Sequence, residues 1–203
     1  MIACKLSLSR VEVSRPNNMD YENEGCLHEI FERQMKNTPP TATAVVSGDG
    51  RSVSFSELDD LTNVLATNLR HRGVKRDSAV GIYLERSLEY PLAYISILKA
   101  GGAYMPLELS YPETLLYSIL EDAKPAAIIT SEHLKEKLPN SVDLILLNEG
   151  WDERLEMENA SKPALEKLKT KLDDLAYIVY SSGTTGKPKG MRLCVTLKSA
   201  KYN

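Results

Sequence analysis

Asp174-Leu175-Ala176-Tyr177-Ile178-Val179-Tyr180 runs without a break into Ser181-Ser182-Gly183-Thr184-Thr185-Gly186-Lys187-Pro188-Lys189-Gly190. After the opening aspartate, the first stretch is apolar, aromatic and β-branched, the composition of a buried strand. The next ten residues change character at once. Gly183, Gly186 and Gly190 let backbone approach a ligand closely and take positive φ. The hydroxyls of Ser181, Ser182, Thr184 and Thr185 both donate and accept. Successive amides in such a turn form a concavity for an anion, and Lys187 and Lys189 add mobile positive charge suited to phosphate. An α/β sheet binds its ligands at the C-terminal ends of its strands, where this loop emerges. It is not a Walker A loop, which needs Gly five residues before the Gly-Lys pair and Ser or Thr after the lysine; those positions hold Ser181 and Pro188. Nor is it GxGxxG. Composition alone would also describe a flexible Gly/Ser/Thr linker; the order of the ten residues separates the two.

Upstream, helical and strand patterns alternate. Leu27, Ile30, Phe31 and Met35 have helical spacing before Pro39-Pro40. Ala42–Ser47 and Arg51–Ser54 flank Gly48-Asp49-Gly50 as a hairpin. Ser54 and Glu57 make a capping box for a helix with Leu58, Leu61, Leu65 and Leu69 on one face and Val64 beside them, ended by Gly73. Strands at 79–84 and 103–107 bracket a helix at 88–100. A helix at 112–122, with Leu115, Leu116, Ile119 and Leu120 facing in, precedes strands at 126–130 and 142–147. The pattern predicts an α/β fold, a mostly parallel sheet with flanking helices, because parallel returns need long, right-handed crossovers. Residues 148–174 carry eight acids and five bases, which predicts a solvated or partly helical connection that Trp151 could pin to the body.

At 203 residues, 42% hydrophobic and 26% charged, the chain is long enough for one domain, or one with a fragment, around a sizeable core. At a net charge of −3, no basic excess argues for a nucleic-acid footprint. Cys4, Cys26 and Cys194 are odd in number and scattered, so no zinc site or disulfide framework is expected. Met1 to Asn18 lacks the apolar stretch of a signal peptide, and the longest uncharged apolar run, Tyr90–Leu98, is too short for a membrane span. The expected setting is cytoplasmic, with neither membrane nor nucleic acid as partner.

Tyr180 to Gly190 resembles the phosphate-binding signature of adenylate-forming enzymes, which include acyl-CoA synthetases, luciferases and nonribosomal peptide synthetase adenylation domains. Leu98-Lys99-Ala100-Gly101-Gly102-Ala103-Tyr104-Met105-Pro106-Leu107 is similar to the family's second core motif, and Val53-Ser54-Phe55-Ser56-Glu57-Leu58 to its first. Leu27 to Val46 is similar to the opening of peptide-synthetase adenylation domains, and the likeness is closer to these than to fatty acyl-CoA ligases. It implies a two-step reaction in which a carboxylic or amino acid is adenylated by ATP with Mg2+. The acyl group then passes to a thiol, on a carrier protein's phosphopantetheine or on CoA. It further implies that Thr184, Thr185 and the amides around Gly183 and Gly186 contact nucleotide phosphates. Lys187 and Lys189 would add charge, Ser181 and Ser182 would shape the loop mouth, and Gly190 would close it. No catalytic residue and no metal ligand is assigned.

The chain departs from the family pattern at Glu108-Leu109, where an aspartate-proline pair is usual, and at Thr114, where arginine is common. Beyond Gly190 the familiar continuation is absent. The expected division is an irregular leader at 1–25, a partial AMP-binding domain at 26–190 and an unrelated tail at 191–203. That makes the chain an incomplete N-terminal portion of the large domain, truncated and inactive alone, as from a shortened gene model or splice product. The rivals are a non-enzymatic interaction module and an interfering or non-functional product. Ala176–Tyr180, expected to be buried on both faces, would leave an open edge and so favour self-association. His28, His71 and His133 read as isolated surface residues, Glu85-Arg86 as a surface pair, and Asp152 to Glu158 as solvated. Tyr83, Tyr90, Tyr94 and Tyr104 read as packing side chains.

Overall fold

A computed structural model describes residues 26–163, 168, 171, 173–181 and 189–194. Leu27–Asn37 forms α1, opened by Glu29, whose carboxylate accepts the Cys26 N–H at 2.7 Å. Thr43–Val46 (β1) and Ser52–Ser54 (β2) pair antiparallel as the expected hairpin. Phe55–His71 is α2. Its capping box closes as read: Ser54 Oγ accepts the Glu57 N–H at 3.3 Å, and Glu57 accepts the Ser54 N–H at 2.7 Å. These bonds favour the anionic carboxylate and hold Glu57 below its ordinary pKa. Gly73, at φ +90°, ends the helix with bonds from its own N–H to Arg70 and from the Val74 N–H to Leu69.

The remaining elements are Ala79–Tyr83 (β3), Glu89–Lys99 (α3), Ala103–Pro106 (β4), Glu113–Ala123 (α4), Ala127–Thr130 (β5), Leu144–Leu146 (β6), Trp151–Ala160 (α5), Leu175–Ser181 (β7) and Lys189–Cys194 (β8). Among the described residues, one sheet orders its strands β6-β5-β3-β4-β7-β8, parallel except for β7 and β8. Val80, Ile82, Ala127, Ile129 and Ile145 meet residues of α2, α3 and α5 in one apolar layer. Ala79, Tyr83, Met105 and Ile128 meet α4 through Leu116, Ile119 and Leu120 in the other. The predicted α/β class and element order hold.

Several details sharpen or correct the sequence reading. The acid-rich stretch contains a regular helix, α5, because Trp151 and Leu155, four apart, bury one side of it. Trp151 does pin the segment, packing into the core with α2. Polar bonds complete the dock: Asn68, buried in α2, donates to Glu158 at 3.0 Å, and Asn159 donates to the Val64 carbonyl at 3.0 Å. On α2 itself the buried set is Leu58, Thr62, Leu65, Ala66, Asn68 and Leu69; Leu61 and Val64 are half-buried. Leu115 of α4 is likewise half-buried. His28 is buried rather than at the surface, and burial pushes its imidazole below the ordinary 6.5 against the opposing pull of Glu29 and Glu32. In β7, Ala176 and Ile178 are buried while Tyr177, Val179 and Tyr180 are half-buried, and the edge expected to stay open is paired with β8.

Lys99 is the one lysine of the second motif, and only 4% of its side chain is exposed. Its ammonium donates to Asp59 Oδ1 at 2.6 Å, Thr62 Oγ1 at 2.8 Å and Asn63 Oδ1 at 2.9 Å, which locks α3 to α2. Breaking a buried pair costs about 3–5 kcal/mol when the partner stays buried. Asp59 is 44% exposed and rehydrates, so Lys99→Met should lose about 2 kcal/mol in urea unfolding. For His28, the unfolded chain takes up a proton at a higher pH than the folded one. Its contribution is therefore complete above pH 6.5 and lost as pH falls below it. His28→Gln should flatten the decline in unfolding free energy between about pH 7 and pH 5.

Candidate functional site

Parallel pairing places the C-terminal ends of β3, β4, β5, β6 and β7 on one edge of the sheet. From β3 the chain crosses to β4 on one side; from β4 it crosses back to β5 on the other. The loops after β3 and β4 therefore diverge toward α3 on one face and α4 on the other, a topological switch point. A cleft of about 610 Å³ opens there, lined by Leu84, Arg86, Tyr90, Tyr94, Leu107 and Glu108 among others. Glu85 and Arg86, read from the sequence as a surface pair, both line it, and Glu85 stands 3.3 Å from His133 Nε2. Burial, and then Glu108, push the Tyr90 phenol above its ordinary pKa.

The Ser/Thr/Gly/Lys loop leaves the same edge from β7. Its two ends are brought together by an antiparallel hairpin, in which Tyr180 pairs with Gly190 and Ser181 with Lys189. Ser181 closes β7, and Lys189 and Gly190 open β8. Ser182, Gly183, Thr184, Thr185, Gly186 and Lys187 lie outside the described residues. Residues 191–194, which the sequence reading assigns to the tail, form the rest of β8. Among the described residues, no group of three or more His, Cys, Asp or Glu is arranged to hold a metal ion.

β7 is anchored at its start and at its middle. Asp174, buried at 3% exposure, accepts from Arg76 Nε at 2.6 Å, from Arg76 Nη2, and from the Lys171 N–H at 2.8 Å. The same bonds raise the Arg76 pKa above its ordinary value. Asp77, at φ +62°, accepts the Leu175 N–H at 2.8 Å. Farther along, Tyr177 stacks on Tyr104 of β4 with centroids 5.5 Å apart, and Tyr104 in turn meets Tyr94 of α3 at 5.7 Å. The turn before β3 thus holds the strand that delivers the loop, a role the sequence reading missed because Arg76 and Asp174 lie 98 positions apart. Asp174→Ala removes three bonds from a buried acceptor and should cost about 2–3 kcal/mol by urea unfolding. Its neighbour Asp173 is 82% exposed and 4.0 Å from Arg76, so Asp173→Ala should change stability by less than about 0.5 kcal/mol.

The family described as AMP-binding enzyme matches residues 31–194, from α1 through the loop to the end of β8. Tyrocidine synthase 2 of Brevibacillus parabrevis is 42% identical over 171 residues, and gramicidin S synthase 2 of Brevibacillus brevis is 35% identical over 176. These alignments take in 84% and 85% of this chain but 4% of either synthase. Among solved structures, the nonribosomal peptide synthetase FmoA3 in its alpha-methyl-L-serine-AMP bound form superposes with a TM-score of 0.68 at 28% identity. The likeness covers 85% of this chain and 18% of that one. The N-terminal subdomain of Klebsiella oxytoca NpsA, in complex with 3-hydroxybenzoyl-AMSN, shares the fold at a TM-score of 0.70 and 21% identity, over 87% of this chain and 43% of its own. With the family match spanning most of its length, the chain belongs to the AMP-binding enzymes.

Proposed function

We propose that loop 181–190 binds the β- and γ-phosphates of ATP within a carboxylate-adenylating unit of the peptide-synthetase kind, residues 26–190 forming its N-terminal part. The observation that carries this reading is the β7–β8 hairpin. A strand anchored at Asp174 and Tyr177 runs to the ligand-binding edge of a parallel sheet and closes a Gly/Ser/Thr/Lys loop between Ser181 and Lys189. In this reading, Thr184, Thr185 and the amides around Gly183 and Gly186 donate to phosphate oxygens. Lys187 and Lys189 offset negative charge as it shifts toward pyrophosphate. Ser181, Ser182 and Gly190 shape the neck.

The substrate is an amino acid or another carboxylic acid. Its carboxylate oxygen attacks the α-phosphorus, and the bond from that phosphorus to the bridging oxygen breaks. The products are an acyl adenylate and pyrophosphate. A thiol on a carrier protein's phosphopantetheine, or on CoA, then displaces AMP to give a thioester. Mg2+ normally accompanies ATP. The described residues offer no carboxylate cluster for it, and no step here depends on a metal ligand from this chain. ATP use suits a cytoplasmic setting, and among the described residues no helix is long and apolar enough to cross a membrane.

A second reading, an interaction module that pairs with a partner or with another copy, is favoured by β8. Among the described residues it is an edge strand, and its Met191 is 57% exposed. Calorimetry with magnesium ATP and with pyrophosphate separates the two. Saturable binding, weakened about tenfold in Lys187→Ala/Lys189→Ala with little change in melting temperature, is expected on the first reading. About tenfold corresponds to 1.4 kcal/mol. No saturable binding at millimolar ligand, together with dimers by light scattering, would overturn it in favour of the second. Amino-acid-dependent ATP–pyrophosphate exchange by this chain alone should stay at background, because the loop supplies phosphate contacts without positioning both reactants.

A further inference from the structure

The hairpin that carries the loop is held at its neck by a contact to which neither the family match nor the proposed reaction gives a role. Tyr180 and Gly190 face each other across β7 and β8. The Tyr180 ring lies so close over Gly190 that a Cβ there would meet ring atoms at 3.0 to 3.2 Å. The Tyr180 hydroxyl reaches past β8 to α4 and donates to Asp122 Oδ2 at 2.5 Å. One side chain therefore joins β7, β8 and α4.

This junction lies beyond the pair that registers β7 against β4. β4 pairs with β7 in register at Tyr104 and Tyr177 alone, so Ile178, Val179 and Tyr180 extend beyond that pairing. A two-stranded ribbon twists more freely than an interior strand. Ser181 and Lys189 are the last pair of the register, the two points between which the loop sequence is strung. We propose that Tyr180 is a positioning residue for the phosphate loop: through Asp122 and the missing Cβ at Gly190 it sets how Ser181 and Lys189 leave the hairpin. Gly190 is then required by the ring that crosses it, as well as by any approach of phosphate.

The proposal rests on the phosphate-binding reading for its ligand arm only, so the test has two arms on the 203-residue chain. Tyr180→Phe keeps the ring over Gly190 and removes the hydroxyl. Hydrogen exchange without ligand should then speed up about 5–10-fold at the amides of 179–181 and 189–191, with the β3 amides unchanged. The magnesium ATP Kd should rise by a similar factor. Asp122→Ala should reproduce both effects and Asp122→Asn, which keeps an acceptor, should restore them. Combining Tyr180→Phe with Asp122→Ala should add nothing further. Unchanged neck exchange in Tyr180→Phe, exchange that rises equally in β3, or faster neck exchange with an unchanged Kd would each overturn the proposal. If the wild-type chain binds no magnesium ATP, the phosphate reading fails. The exchange arm then decides: neck-confined acceleration reversed by Asp122→Asn upholds the clamp, and its absence refutes it.

Discussion

Every residue of β3, Ala79 to Tyr83, is buried, so this strand needs an apolar layer on each face. Val80 and Ile82 face α2 and α3, while Ala79 and Tyr83 face α4. Gly81 has no room for more: a Cβ there would stand 3.0 Å from Ile128. A strand buried this way has parallel neighbours reached by helical crossovers, and the crossovers align the strand ends. The ligand edge follows from that burial. So does the opposite departure of the loops after β3 and β4, because α3 and α4 cover different faces.

Much of this was legible from the chain. The capping box at Ser54 and Glu57, the stop at Gly73 and the glycines after α3 act locally, through neighbours within a few positions, and local chemistry can be read in order. The order of residues 181–190 pointed to the family for the same reason, and the family match over 31–194 bears that out. What stayed hidden depends on partners far along the chain. Thr62 and Asn68 fall at helical positions that polarity assigns to solvent, yet both are buried because Lys99, Arg72 and Glu158 come to meet them. The α5 helix was read only as one option for a charged connection, because only Trp151 and Leu155, four apart, mark its inner side. The alternation of Met191, Leu193 and Val195 with polar or small residues was a strand signal, overlooked because the stretch departs from the expected family continuation.

Polar contacts in this fold join elements rather than fill surfaces. Lys99 ties α3 to α2, and Arg72 ties the end of α2 to Asp143 before β6 at 2.7 Å. Arg51 ties the β1–β2 hairpin to Glu89 at the start of α3 at 2.6 Å. Arg76 and Asp174 do the same for the strand that bears the loop. Each fixes an angle between elements that apolar contact alone leaves adjustable, since burial has no direction. The candidate site draws on this: the strand that leads to the loop is held at its origin, middle and end, each by a different neighbour.

The antiparallel turn of direction at the loop has a consequence for how such a sequence can vary. The pairs from Tyr177 with Leu193 to Ser181 with Lys189 form a continuous register. A slip of one position would turn each β8 side chain to the opposite face and bring Lys189 or Met191, instead of Gly190, opposite the Tyr180 ring. A residue inserted between Ser181 and Lys189 leaves this register in place, whereas one inserted within the paired stretch of β8 shifts it. Length variation at the turn of this hairpin is in that way uncoupled from the strand pairing below it.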